Sequence, residues 1–201
     1  MPQTTSLLRR SLRKQRQGIS QSAREHFNYR IQQTLLSAGV LLRFSSIAGY
    51  LSNDGEPSID SLVQTCYEIN RPFYLPVVRK KALAFAQYTL GNELSNNAFN
   101  IPEPSTQHTL CARFLSVILI PLVGFDNQGN RLGMGGGYYD RTLNFMLNPA
   151  SKKKPLLIGI AYSLQKVDTI KPHAWDVPLD AVITEKGLIT FSAKAKQLLR
   201  L

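Results

Sequence analysis

Apolar residues recur along this chain with two spacings, and the alternation between them predicts the class of fold. Over residues 5–17, Leu8 and Leu12 share one helical face, while Arg9, Arg13 and Arg16 form a second stripe at i, i+4 and i+7. Ser22-Ala23-Arg24-Glu25 matches a capping box, with Ile19 placed as a staple; the predicted helix runs to about Ala38 and stops at Gly39. Residues 58–69 repeat apolar side chains at Ile59, Leu62, Val63, Cys66 and Ile69, again a helical spacing. Strand-like runs occupy 47–51, Phe73–Val78 (despite Pro76), Ala82–Tyr88, 117–123, Leu156–Tyr162 and Ala181–Thr184. Glu185-Lys186-Gly187 turns the last of these into Leu188–Phe191. Gly91–Cys111 is irregular, and Asn148–Pro155 is a polar, lysine-rich linker. Strands alternating with helical segments predict an α/β fold. The expected form is a mostly parallel central sheet flanked by helices, in an open three-layer arrangement with an antiparallel C-terminal edge, as one domain over 1–201.

The chain has 201 residues, 43% of them hydrophobic, which suffices for a sizeable core. No run approaches the roughly 20 apolar residues of a membrane helix. No apolar stretch follows the N-terminal arginines, so a secretory leader is not expected. Cys66 and Cys111 are too few and too far apart for a metal knuckle or a disulfide scaffold, and Cys66 reads as a small buried hydrophobe. The expectation is a soluble, cytoplasmic monomer. The net charge of +11 suits nucleic acid or small polyanions. Its cations gather at Arg9–Arg16, at Arg79-Lys80-Lys81, at Lys152-Lys153-Lys154 and in the C-terminal tail. They are not interleaved with aromatics in any RNA-binding pattern, so neither nucleic acid nor membrane is an expected partner.

One stretch carries more chemistry than the rest: Arg131-Leu132-Gly133-Met134-Gly135-Gly136-Gly137-Tyr138-Tyr139-Asp140-Arg141. Its glycines allow positive φ and close approach of a ligand to the main chain. The apolar run 117–123 lies upstream, and Tyr138–Leu147 reads as a helix downstream. A strand, a glycine loop and a helix start in series offer free N–H groups to an anion. The loop has no Gly-Lys-Ser/Thr ending, and its G-x-G-G-G spacing is not the dinucleotide fingerprint. Asp140 beside such a cradle would repel phosphate unless a cation lay between them, and Mg²⁺ is the usual one. Asp176, in His173-Ala174-Trp175-Asp176-Val177-Pro178, is a second candidate ligand; otherwise it closes an Asx turn. Glu56, in the turn Asn53-Asp54-Gly55-Glu56-Pro57, can accept parallel bonds from amide-like N–H donors. His26, His108 and His173 adjoin no nucleophile motif and no zinc spacing, which leaves electrostatic catalysis on a phosphoryl group.

These pieces together resemble the 5-formyltetrahydrofolate cyclo-ligase family over nearly the whole chain. The most specific match is Pro121-Leu122-Val123-Gly124-Phe125-Asp126 running on through Arg131-Leu132-Gly133 into Gly135-Gly136-Gly137-Tyr138-Tyr139-Asp140-Arg141. Tyr50-Leu51 with Glu56, Leu75-Pro76, Asn100-Ile101-Pro102-Glu103-Pro104 and Asp176-Val177-Pro178-Leu179-Asp180 support it. The resemblance implies ATP- and Mg²⁺-dependent cyclisation of 5-formyltetrahydrofolate, polyglutamylated or not, to 5,10-methenyltetrahydrofolate through a phosphorylated formyl group. It implies an ATP site made of Arg9, Arg13 and Arg131, Leu132, Gly133, Met134, Gly135, Gly136, Gly137, Tyr138 and Tyr139. Arg13, Arg131 and Tyr138 would carry the catalysis. Leu51, Glu56, Phe99, Met134 and Tyr138 would line the folate pocket, and Asp140 and Asp176 would hold Mg²⁺. Lys152–Lys154 reads as a solvent-exposed linker and not a binding site, although a polyglutamate tail is a polyanion that such a patch would attract. Two positions depart from the family pattern: Arg9 stands where lysine is frequent, and Met134 where an aromatic or basic residue is frequent. The rival readings are a basic nucleic-acid-binding module and a nucleotide-binding regulator without catalysis.

Overall fold

The computed structural model describes residues 5–199; Arg200, at the end of the basic C-terminal tail, lies outside them. Helices α1 (Thr5–Gln17), α2 (Gln21–Ser37) and the short α3 (Val40–Arg43) precede β1 (Ile47–Ala48) and α4 (Asp60–Glu68). Next come β2 (Phe73–Arg79), β3 (Ala82–Tyr88), β4 (Leu94–Asn96) and β5 (Pro102–Pro104). Strand β6 (Val117–Pro121), the pair β7 (Gly124–Phe125) and β8 (Arg131–Leu132), and α5 (Tyr138–Leu143) follow. The chain closes with β9 (Leu156–Ile160), β10 (Ala181–Thr184), β11 (Gly187–Thr190) and α6 (Ala193–Leu198).

Seven strands form one sheet in the order β11-β10-β9-β6-β1-β2-β3. The five inner strands are parallel, with Ile47 opposite both Phe73 and Val117, and Val117 opposite Leu156. Both edges are antiparallel, β11 as expected and β3 in addition. The second reversal has a simple cause. Lys80 and Lys81 are too short a link for a crossover to a parallel strand, and Lys80 takes a left-handed φ of 54° at the hairpin tip.

Period-two alternation divides the core between two faces. Val117 and Leu119 of β6 point into one cluster with Ile31 and Leu35 of α2, Leu62 and Cys66 of α4, and Ala195 of α6. Ile118 and Ile120 point the other way, towards Leu143 of α5, Phe85 and Leu179. Helices on both faces make the three layers. Gly159 of β9 sits where a Cβ would meet Leu122, Leu179 and Val182 at 2.7–2.9 Å. Among the described residues no helix is long and apolar enough to cross a membrane.

Several local expectations are corrected: the strand expected over 47–51 ends at Ala48, and the stretch 91–111, read as irregular, holds the antiparallel pair β4–β5. Helix α2 is capped by Ser20, whose Oγ accepts from Ala23 N at 3.3 Å, two residues before the expected box. Ser22 therefore lies inside the first turn. The helix expected over Tyr138–Leu147 is α-helical only to Leu143 and then tightens into a 3₁₀ turn over Asn144–Leu147. The glycine loop does not leave the central strand directly, because the hairpin β7–β8 intervenes. Asp126 organises that excursion from a buried position, accepting from Gln128 N, Asn130 N, Asn130 Nδ2 and Ile170 N at 2.9–3.0 Å.

Gly159→Ala should lower stability by about 1–3 kcal/mol through overpacking, measured by urea unfolding. An unchanged midpoint would show that β9 can move aside.

Candidate active site

Ligands of open α/β sheets sit beyond the carboxyl ends of the parallel strands. There the chain leaves β1 for the 53–57 turn and leaves β6 for the β7–β8 hairpin, and α1 lies across both. Leu12 of α1 packs with Val123 and Leu132. Gly124 admits it, since a Cβ there would stand 2.8 Å from Leu12 Cδ1. The basic stripe of α1 then divides by depth. Arg9, at one end, gives Nε to the Gly133 carbonyl at 2.8 Å. Arg13 pairs with Asp54 through Nε to Oδ2 at 2.8 Å and Nη2 to Oδ1 at 3.1 Å. Arg16 is fully buried. It donates to the Leu122 carbonyl (3.1 Å), the Asp54 carbonyl (3.1 Å) and Asp54 Oδ2 (2.7 Å). These donors hold the Asp54 carboxyl below its ordinary range, the Arg13 bond foremost.

Glu56 follows on the same turn. Its Oε2 accepts from Asn53 N at 3.2 Å, and its Oε1 stands 4.0 Å from Arg16 Nη1. Burial outweighs the pull of Arg16 and raises its pKa to about 7. Tyr50, buried with its hydroxyl donating to the Pro57 carbonyl at 2.8 Å, and Tyr139 both feel the Glu56 charge. Burial and that charge raise both phenols. Helix α1 joins the two pieces, with Arg9 on the Gly133 carbonyl, Arg13 and Arg16 on Asp54 and Arg16 near Glu56, so the glycine loop and Glu56 face one crevice.

The loop itself runs from β8 to α5. Gly135 and Gly137 have φ of 101° and 64°, values that favour glycine. Helix α5 has six residues, so the loop amides outweigh any macrodipole as anion donors. Arg141 fastens the loop from below: its guanidinium donates to the Gly136 and Lys81 carbonyls and lies 5.1 Å from the Tyr138 ring centre. Phe99 meets Tyr138 edge to face at 5.5 Å. Phe99 and Met134 are both exposed, and Leu51 is half-buried at the margin of the core. Leu132 turns into the core, so only its backbone is available to a nucleotide.

Arg131 lies behind the loop. Its guanidinium donates to the Val177 carbonyl and to Asp140 Oδ1, and little of the side chain is exposed. Asp140 Oδ1 also accepts from Val177 N at 3.4 Å, which brings the 173–178 segment beside α5. Asp176 Oδ2 accepts from His173 N at 2.8 Å, closing the turn its sequence suggested. Among the described residues, Oδ2 of Asp140 and Oδ1 of Asp176 keep no hydrogen-bond partner. Two such carboxylates suit Mg²⁺, which takes one or two protein carboxylates and completes its shell with water and phosphate oxygens. Among the described residues no group of three or more His, Cys, Asp or Glu side chains forms a fuller metal site. A cavity of about 260 Å³ opens beside Asp140, lined by Gly137, Arg141, Asn144 and the exposed Trp175.

Lys152–Lys154 lie before β9, at the opposite end of the sheet from this crevice. In the sequence Arg16 stands out only within the basic stripe and Arg141 only as the end of the glycine motif, neither with a role of its own, and Gln165 does not stand out. Gln165 is buried and donates to the Leu122 and Val123 carbonyls at 2.6 and 3.1 Å. Arg16 left a signal as the third member of the stripe and Arg141 as the guanidinium that follows the glycine loop, whereas Gln165 left none.

A family model described as the 5-formyltetrahydrofolate cyclo-ligase family matches residues 2–185. A 5-formyltetrahydrofolate cyclo-ligase of Haemophilus influenzae is 36% identical over 177 residues, covering 86% of this chain and 92% of that protein. The Escherichia coli K12 protein of the same name is 32% identical over 178 residues, covering 86% and 96%. Among solved structures, the 5,10-methenyltetrahydrofolate synthetase of Aquifex aeolicus superposes with a TM-score of 0.80 at 28% identity, covering 93% of this chain and 92% of that one. The Mycoplasma pneumoniae synthetase gives 0.71 at 28% identity, covering 90% and 98%.

Glu56 keeps its proton to about pH 7 when folded, against an ordinary value of 4.5. The folded state binds more protons between those values, so this group's contribution to stability falls as pH rises through that window. Glu56→Gln should therefore gain on the wild type between pH 5 and pH 8, by up to about 3 kcal/mol. Parallel urea-stability profiles for the two proteins would refute the buried, protonated carboxyl.

Proposed function

The chain belongs to the 5-formyltetrahydrofolate cyclo-ligase family and is an enzyme of that kind, and we propose that it uses ATP and Mg²⁺ to close 5-formyltetrahydrofolate to 5,10-methenyltetrahydrofolate. The observation that carries this reading is the convergence of the α1 arginines, the 133–137 loop and Glu56 on one crevice.

The triphosphate lies between α1 and the loop. Arg9 and Arg13 offer guanidinium groups, and the main chain of Arg131 to Tyr139 offers its amides. Glu56 faces the pterin, whose N–H donors favour the ionised carboxylate, while Leu51, Phe99, Met134 and Tyr138 form the apolar walls. Asp140 and Asp176 would hold Mg²⁺, which when bound neutralises charge on the phosphate oxygens. Arg131 acts through Asp140, fixing that carboxylate's orientation.

The formyl oxygen attacks the γ-phosphorus, and the bond to the bridging oxygen breaks, releasing ADP. N10 then attacks the activated carbon. The C–O bond breaks, N10 loses its proton, and phosphate leaves with the formyl oxygen. An amide-like oxygen leaves poorly until it is phosphorylated, so alignment and charge neutralisation suffice and no covalent nucleophile is needed. On this reading the chain works as a single-domain monomer. Its two unpaired cysteines agree with a cytoplasmic setting. The net charge serves polyanionic substrates, and Arg79-Lys80-Lys81, beside Arg141 at the loop, suits a glutamate tail better than Lys152–Lys154 does.

Purified protein mixed with 5-formyltetrahydrofolate and Mg-ATP should develop methenyl absorbance, with none in the absence of ATP; absorbance growth independent of ATP would overturn the reading. Asp140→Ala should retain its circular dichroism and lose turnover by about 100-fold or more. Turnover near the wild-type rate would remove Asp140 from the metal shell. Glu56→Gln should raise KM for the folate more than KM for ATP, and equal changes would contradict a pterin-facing role.

A further inference from the structure

Asp54 collects three side chains of α1 on one carboxylate. Arg13 takes both oxygens, Arg16 shares Oδ2 and Gln17 shares Oδ1. The two arginines are not equivalent. Arg16 is wholly buried and also binds the carbonyls of Asp54 and Leu122, so it cannot leave without stranding a buried charge. Arg13 is 41% exposed, and Asp54 is its one partner among the described residues. Water can therefore reach the Arg13 guanidinium, whereas it cannot reach that of Arg16. If Arg13 left, Arg16 and Gln17 would still hold the carboxylate, and Arg16 would still hold the turn by its backbone.

We propose that Asp54 is a positioning residue that holds Arg13 ready in the nucleotide-free enzyme and yields it to the triphosphate, while Arg16 keeps the 53–57 turn, and so Glu56, in place. The inference rests on the reading that α1 faces the nucleotide. It has two physical merits. A guanidinium held near its target loses less rotamer freedom on binding than one free in solvent. The paired charges also leave this end of α1 less positive until a polyanion arrives, although Arg9 and Arg16 stand on the same stripe. Asp54 occupies the left-handed region at φ 52°, where asparagine is tolerated, so Asp54→Asn keeps the backbone and removes the charge.

The test is a double-mutant cycle on binding of a non-hydrolysable Mg-ATP analogue, measured by calorimetry for the wild type, Asp54→Asn, Arg13→Gln and the double variant. Asp54→Asn should tighten nucleotide binding about three- to fivefold, the scale of one lost ion pair. Arg13→Gln should weaken binding, and in that background Asp54→Asn should have no further effect. Equal tightening in both backgrounds would mean a general charge effect and would overturn the exchange, as would no tightening. If Arg13→Gln bound nucleotide like the wild type, the placement of phosphate on α1 would fail as well. Normal weakening by Arg13→Gln with a silent Asp54→Asn would sink the exchange alone. Should Asp54→Asn fail to fold, the labelled wild type decides. The Arg13 Nε–H resonance, identified by its loss in Arg13→Gln, must shift on adding the analogue while the Arg16 resonance does not. An unmoved Arg13 resonance overturns the proposal.

Discussion

Everything at the carboxyl end of this sheet depends on the buried guanidinium of Arg16. It ties three separate pieces of chain together: α1, the exit of β6 at the Leu122 carbonyl, and the turn carrying Asp54 and Glu56. A charge taken wholly out of water is tolerated only when its donors are met, and removing one partner of such a pair costs about 3–5 kcal/mol. Arg16 meets that condition with two carbonyls and a carboxylate. Gln165 shares the Leu122 carbonyl from the other side, so the strand exit is held by two buried polar groups. This tether makes a turn of five residues stable enough to carry a buried acid.

The same economy recurs around the glycine loop. Arg131 is used to hold Asp140 against the 176–178 segment, and Arg141 to bind the Gly136 carbonyl. Arg16 and Arg131 are thus structural cations whose charge is spent inside the protein, while Arg141 braces the loop from an exposed position. The cations left for a polyanion are those at the rim, Arg9 at the loop and Arg13 at the turn. The withdrawn guanidinium groups of Arg16 and Arg131 fix the geometry, and the more open Arg9 and Arg13 are left to bind. That division explains how a glycine-rich loop, flexible by composition, is held in one shape.

Regular elements were legible in the sequence wherever one periodicity ran without interruption. Helix α1 spans 5–17 as its apolar face indicated, and β3 and β10 begin and end where the strand-like runs did. The family resemblance, carried by ordered motifs from Pro121 to Arg141, agreed with the matched family model. The rest escaped for local reasons. Ser20 and Ser22 are both competent caps, and only the backbone decides between them. The β7–β8 pair is two residues per strand, below what alternation can reveal, so the loop seemed to follow the central strand directly. Arg16 is indistinguishable by type from its exposed neighbours Arg9 and Arg13. Its burial follows from which way α1 rolls on Leu12, Val123 and Leu132. Asp54, the partner of two arginines, was hidden in a turn where solvated acids are common.

The central claim is that α1, the 133–137 loop and the 53–57 turn make one pocket for a triphosphate and a pterin. A crystal structure with a non-hydrolysable ATP analogue, Mg²⁺ and 5-formyltetrahydrofolate tests it most directly. The phosphates should lie between α1 and Gly133–Gly137, with the pterin ring against Glu56. Phosphates seated on Lys152–Lys154, at the far end of the sheet, would contradict the account.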